Sequence, residues 1–248
     1  MNTDISNNYQ NTLTAIEQAC LNCHRAATDV LLLSVSKTHP VESIAAAYAA
    51  GARDFGENYV QEAVDKIEEM DALMPENQAI WHFIGPLQSN KTRLVAEYFD
   101  WVHSVERLKI AQRLSEQRPT SRAPLNLCLQ VNISLQESKS GCAPDEATAL
   151  ALSIAQLPNI RLRGLMAIPA PVNSADSWAQ QRAPFDALRA LFDSIKAQLP
   201  PEQANFFDTL SMGMSDDYEL AIAAGSTIVR VGTAIFGARH YPNELDTK

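Results

Sequence analysis

The sequence predicts an α/β protein built as a single (β/α)8 TIM barrel with one extra helix in front. Three observations predict it. Eight short apolar runs alternate with seven helical patterns between residues 30 and 231, and such alternation implies parallel strands joined by crossovers. The runs are near-continuous, as in sheets covered on both faces. Eight such units in 248 residues match the size of this barrel. The rival is a doubly wound open sheet, which needs a glycine-rich turn after its first strand to bind a dinucleotide. The turn here is Ser36-Lys37-Thr38-His39-Pro40, with no glycine.

Residues 1–26 read as the leading helix, with Ile5, Tyr9, Leu13, Ile16, Cys20 and Cys23 on one stripe. Val30–Ser36 is the first strand. Pro40 suits the first turn of the next helix, whose stripe is Val41, Ile44, Ala45, Tyr48 and Ala49, and Gly51 can end it. Ala52–Gly56 is a strand. Asn58–Asp71 is a helix, with Asn58 and Gln61 resembling a capping box. Ala79–Ile84, Trp101–Val105, Leu125–Ile133 and Ile160–Ile168 are strands. Helices are expected at Asn90–Phe99, Glu106–Glu116, Pro144–Gln156 and Trp178–Gln198. Phe207–Ser211 is the seventh strand, Asp216–Ala224 a helix closed by Gly225, and Ser226–Val231 the last strand. No long helix follows it, because residues 238–248 form a short polar tail. The leading helix is expected to fill that vacant position, making 1–248 one domain.

Lys and Arg total 20 against 29 Asp and Glu, so the net charge is 20 − 29 = −9. That disfavours nucleic acid and anionic membranes as partners, which need a basic face. Four cysteines in a chain this long do not make a disulfide scaffold. Cys20-Leu21-Asn22-Cys23 has CxxC spacing but no second pair and no preceding strand, which argues against a zinc or redox role. No apolar run approaches the ~18 residues of a membrane helix, and the polar start carries no signal peptide. A reduced, cytoplasmic protein is expected.

In a barrel, chemistry sits at the carboxyl ends of the strands. Lys37 abruptly ends the uncharged first run. A lysine at an apolar mouth has its charged form disfavoured and its amine made available, as a Schiff-base lysine requires. The other reading is a solvated surface lysine. The seventh and eighth strands exit at Ser211-Met212-Gly213-Met214-Ser215 and at Arg230-Val231-Gly232-Thr233. Loops at these two places commonly hold phosphate in barrels. Ser215 or Asp216 is expected to begin a helix there, and Asp216 and Asp217 to cap it. Arg230, inside an apolar strand, is either a structural ion pair or a donor to a ligand acceptor such as a ring nitrogen. Asn58 is a helix cap or a pocket residue. His82 reads as a satisfied core histidine, and Lys139-Ser140-Gly141 as a loop or a second anion contact.

Seven blocks carry a family resemblance. They are Ser34–Lys37, Phe55–Glu62, Trp81–Gly85 with Leu87–Lys91, Val131–Ile133 with Ser138–Gly141, Arg163–Met166, Leu210–Asp217 and Arg230–Gly237. In this order they resemble the pyridoxal phosphate homeostasis protein family. The resemblance implies a barrel similar to the pyridoxal-phosphate domain of alanine racemase. It implies that Lys37 carries pyridoxal 5'-phosphate (PLP) as an internal aldimine. Ser211, Met212, Gly232 and Thr233 would hold the phosphate, Arg230 would approach the pyridine nitrogen, and Asn58, Met166 and Ser215 complete the cofactor-binding set. The implied role is PLP homeostasis affecting amino-acid and keto-acid balance, without robust catalysis. Other B6 vitamers and apo PLP enzymes are the expected partners, and the expected state is a monomer.

Two other classes compete. One is a PLP-dependent amino-acid racemase or decarboxylase-like enzyme. Racemisation needs a second base, which alanine racemase takes from an extra domain of a partner subunit, and the barrel here is expected to use the whole chain. An arginine at the ring nitrogen also makes a poor electron sink. The other is a Schiff-base aldolase without cofactor, for which no acid–base carboxylate stands at a strand exit beside Lys37.

Overall fold

The computed structural model describes residues 2–136, 139–170 and 175–238. Eight parallel strands close on themselves in the order of the chain. They are β1 (Leu31–Val35), β2 (Asp54–Glu57), β3 (Ile80–Phe83), β4 (Trp101–Val105), β5 (Leu125–Gln130), β6 (Ile160–Met166), β7 (Thr209–Met214) and β8 (Ile228–Val231). Closure is made by β1 against β8, with Leu31 opposite Ile228 and Ser34 opposite Val231.

The helices are α1 (Asn2–Asn22), α2 (Val41–Ala49), α3 (Val60–Leu73), α4 (Thr92–Tyr98), α5 (Leu108–Gln117), α6 (Pro144–Ile154), α7 (Trp178–Gln198), α8 (Pro201–Ala204), α9 (Tyr218–Ala223) and α10 (Thr233–Phe236). Each long crossover helix lays an apolar stripe on the sheet. In α3 the stripe is Val60, Ala63, Val64, Ile67 and Met70, all buried. β5 is buried at five of its six positions, so its apolar run has both faces covered.

α1 packs against α2, α9 and α10. It therefore occupies the place a long eighth helix would take, with α10 supplying a single turn beneath it. Its end comes earlier than the stripe suggests. His24 adopts a left-handed φ of 57°, and the N–H groups of His24 and Arg25 donate back to Leu21 O and Cys20 O at 3.1 and 2.9 Å. These bonds satisfy the last carbonyls and leave Cys23 outside the helix.

Three of the further boundaries that differ from the sequence reading each move a site residue. β2 runs on to Glu57, which pairs with Phe83. The chain leaves the sheet later, α3 begins at Val60, and Asn58 is not its cap. β7 runs on to Met214, three residues past Ser211, so Ser211 and Met212 lie inside a strand. The next helix begins only at Tyr218, with Asp217 as N-cap residue, so neither Ser215 nor Asp216 opens it.

Candidate functional site

One cavity opens at the carboxyl ends of β1, β2 and β8. Lys37, Asn58, Ser215, Arg230, Gly232 and Thr233 line it, together with Val35, His39, Ile84, Ile168 and Met214. Six expected residues thus meet in one place, although they come from opposite ends of the sequence. Closure of β1 onto β8 brings them together. Met166, Ser211 and Met212 do not line the cavity, and all three side chains are wholly buried. Met166 stands opposite Ser211 in the sheet, so both lie a layer below the mouth.

Lys37 sits two residues past the end of β1 in a tight turn, closed by the His39 N–H on Ser36 O at 3.1 Å. Thr38 holds a φ of 63° there, costly for a β-branched residue. What sustains this turn is a buried charge cluster. Lys66 Nζ donates to Ser36 O, Glu57 Oε1 and Glu62 Oε1 at 3.0, 2.9 and 2.6 Å. Ser36 Oγ donates to Glu57 Oε1 at 2.7 Å, and the Thr38 N–H donates to Glu62 Oε1 at 2.6 Å. The residues before and after Lys37 are therefore both tied to the same clamp. Burial pushes the Glu57 carboxyl up, with Lys66 and Ser36 pulling against it. A fully buried Glu57 and an almost buried Lys66 are compatible with folding only as partners.

Arg230 is buried, yet no carboxylate lies within 4 Å of it among the described residues. Its Nη1 donates to Ser211 O and Oγ at 2.7 and 2.8 Å, and Nη2 to Ala167 O at 3.0 Å. Burial pushes its pKa down to about 10, which leaves it a cation at neutral pH. Of the two readings of Arg230, the structural ion pair is absent among those residues. Among the described residues, Asn58 Oδ1, Glu57 Oε2 and Thr38 Oγ1 are buried without hydrogen-bond partners, and all belong to segments around Lys37. Asn58 is held from behind by Gly85, where a Cβ would stand 2.2 Å from Asn58 O.

At the β7 exit, Gly213 has a φ of +94°, and a Cβ there would lie 2.6 Å from the Ala221 side chain. That kink, and the Asp217 carboxylate accepting the Met214 N–H at 2.6 Å, shape the loop carrying Ser215. Lys139 donates to Ile168 O at 2.9 Å and to Pro169 O. It stands beside the cavity wall but does not line it. The rest of its loop, 137–138, and part of the loose stretch 169–177, residues 171–174, fall outside the described residues.

A model of the alanine racemase N-terminal domain matches residues 12–240. The pyridoxal phosphate homeostasis protein of Haemophilus influenzae is 54% identical over 241 residues, covering 94% of this chain and 97% of its own. That of Pseudomonas aeruginosa is 55% identical over 237 residues, covering 96% of each. The chain belongs to the pyridoxal phosphate homeostasis protein family. Among solved structures, PipY of Synechococcus elongatus with PLP bound is similar at a TM-score of 0.73 and 38% identity, over 90% of this chain and 100% of that one.

Sequence reasoning about this homeostasis-family cavity missed His39, stacked on Phe236 at 5.2 Å, and the apolar wall of Val35, Ile84, Ile168 and Met214. His39 lies two residues after Lys37 and was open to notice. The apolar wall carries no signal that separates it from core.

Proposed function

We propose that the chain binds PLP covalently through Lys37 and serves PLP homeostasis rather than catalysis. The observation that carries this is the meeting of one lysine amine, one buried arginine and two strand-exit loops at a single cavity. When bound, PLP supplies an aldehyde that condenses with a primary amine, a pyridine nitrogen and a phosphate. Lys37 provides the amine. Arg230 keeps N–H groups available for the ring nitrogen after its three carbonyl and hydroxyl bonds. Ser215, Gly232 and Thr233 provide backbone and hydroxyl donors for the phosphate. Asn58 Oδ1, buried without a partner, is an acceptor awaiting a donor.

A cation facing the ring nitrogen keeps that nitrogen unprotonated, which disfavours carbanion chemistry. The protein works in the cytoplasm as one monomeric barrel domain. It takes PLP and other B6 vitamers, and apo PLP enzymes are the recipients. The acidic balance argues against nucleic acid and membrane surfaces, and no helix among the described residues is long and apolar enough to cross a membrane.

The competing reading, a PLP-dependent amino-acid enzyme, draws on the alanine racemase domain match. Titrating the purified protein with PLP tests the first reading: one equivalent should bind with a visible absorbance band. No band and no binding would overturn it. Incubating the loaded protein with amino acids in deuterated water separates the two. Homeostasis predicts negligible α-proton exchange, and turnover would establish the enzyme.

A further inference from the structure

A chain of hydrogen bonds crosses the barrel beneath the cavity. Asp54 Oδ1 lies 2.9 Å from His82 Nε2, and His82 Nδ1 lies 3.0 Å from His103 Nε2. His103 Nδ1 lies 2.8 Å from Ser211 Oγ, which also meets Arg230 Nη1 at 2.8 Å. The five residues come from β2, β3, β4, β7 and β8. Asp54 opens β2 at the amino-terminal end of the barrel, opposite the cavity, with its side chain 13% exposed. His82, His103 and Ser211 are wholly buried.

Two arrangements of hydrogens fit these contacts. A carboxylate only accepts, so His82 Nε2 carries a hydrogen. Burial, helped by His82 and Arg230, holds the His103 imidazole well below its usual range, so it is neutral. With a single hydrogen on His82, its Nδ1 is bare, and His103 Nε2–H donates to it. That leaves His103 Nδ1 bare, to accept the Ser211 hydroxyl hydrogen. Arg230 donates into the Ser211 lone pair. Every hydrogen thus points from the cavity towards Asp54. The opposite arrangement places a hydrogen on both His82 nitrogens, and Ser211 Oγ then accepts from both His103 Nδ1–H and Arg230.

We propose that Asp54, His82, His103 and Ser211 are positioning residues for Arg230. The one-way chain fixes the Ser211 hydroxyl as an acceptor and so holds the guanidinium at the cavity wall. Resting on the PLP reading above, the consequence is that Asp54, on the far end of the barrel, controls how tightly the cofactor is retained. The chain reaches where no direct contact does, since Asp54 touches neither Arg230 nor the cavity.

Nitrogen-15 NMR of the cofactor-free protein at neutral pH tests the chain without any ligand. Both His82 and His103 should be Nε2–H tautomers. An Nδ1–H tautomer or an imidazolium at either one would overturn the proposal. Asp54→Asn keeps the shape of the anchor but removes its charge, and should shift the His103 nitrogen resonances through His82. Asp54→Asn and Ser211→Ala should each release PLP faster, by about tenfold, the scale seen when the hydrogen-bond partner behind a metal-bound histidine is removed, and should move the absorbance maximum of the bound cofactor. A merely structural role would lower the melting temperature and leave release and absorbance unchanged in the folded variants. That result would also overturn the proposal. Should a variant not fold, the wild-type tautomers decide. Failure of the wild type to bind PLP would instead defeat the reading of the cavity, and the tautomers would still decide the chain's direction.

Discussion

Lys66→Met leaves Glu57 buried without its counter-charge, and should cost about 3–5 kcal/mol in urea denaturation. Adding Glu57→Gln to that variant should recover part of the loss, since the orphaned charge is then gone. This clamp beside Lys37 is hidden in the sequence, because Lys66 looks like any helix lysine until Glu57 is placed inside the sheet. Lys37 and Arg230 are legible: each interrupts an apolar run, and both line the cavity. His82 reads as a satisfied core histidine, and it is buried with both ring nitrogens bonded. Its partners Asp54 and His103 lie 28 and 21 residues away, and Ser211 another 108 beyond His103. No local pattern links them. His103 gives a pH prediction. The unfolded imidazole protonates near the ordinary 6.5, whereas the folded one resists protonation well below that value. The unfolded chain then binds more protons in this range, so stability is present above about 6.5 and is lost as the pH falls towards the folded value. The slope should be at most about 1.4 kcal/mol per pH unit for one proton. His103→Gln should flatten it in denaturation curves compared across pH. An equal slope in the variant would show that His103 is not the group responsible.

The strands and the helices other than short α8 and α10 were legible in kind and order but not in their ends, and the ends decide which residues reach the site. Periodicity cannot show where a parallel strand stops, because an apolar residue suits the last rung and the first residue of the exit loop equally well. β7 therefore swallowed Ser211 and Met212 and passed the exit to Met214 and Ser215. β2 took Glu57 and released Asn58 from capping. Glycines mark the two exits physically. Gly213→Ala forces a side chain into a φ of +94° and against Ala221, so it should cost about 1–3 kcal/mol of stability and weaken PLP retention through the Ser215 loop. Gly85→Ala drives a Cβ into Asn58 O and should disturb the opposite wall. Comparing melting temperatures with PLP dissociation rates for both variants separates loss of fold from loss of site. Retention unchanged in a folded Gly213→Ala protein would remove the β7 exit from the phosphate assignment.

Across the whole molecule, the count of alternating units announced the barrel, and its closure explains why residues near 37 and near 230 share a cavity. The leading helix completes the outer ring by burying Ile5, Tyr9, Ile16, Ala19 and Cys20, and Asn8 reaches across to Ile235 O at 3.2 Å. Ile16 is 3% exposed, so Ile16→Ala should destabilise the fold by about 2–5 kcal/mol, measured by urea denaturation. An effect well below that range would mean that α1 is an appendage and not part of the ring. On the proposed reading, this closed barrel holds PLP on one lysine brought to its seam. Loading the wild-type protein with PLP, reducing it with borohydride, digesting it and mapping the pyridoxyl group by mass spectrometry tests that attachment. One adduct, on Lys37, is expected. A wild-type adduct on another lysine, or no adduct after loading, contradicts the attachment.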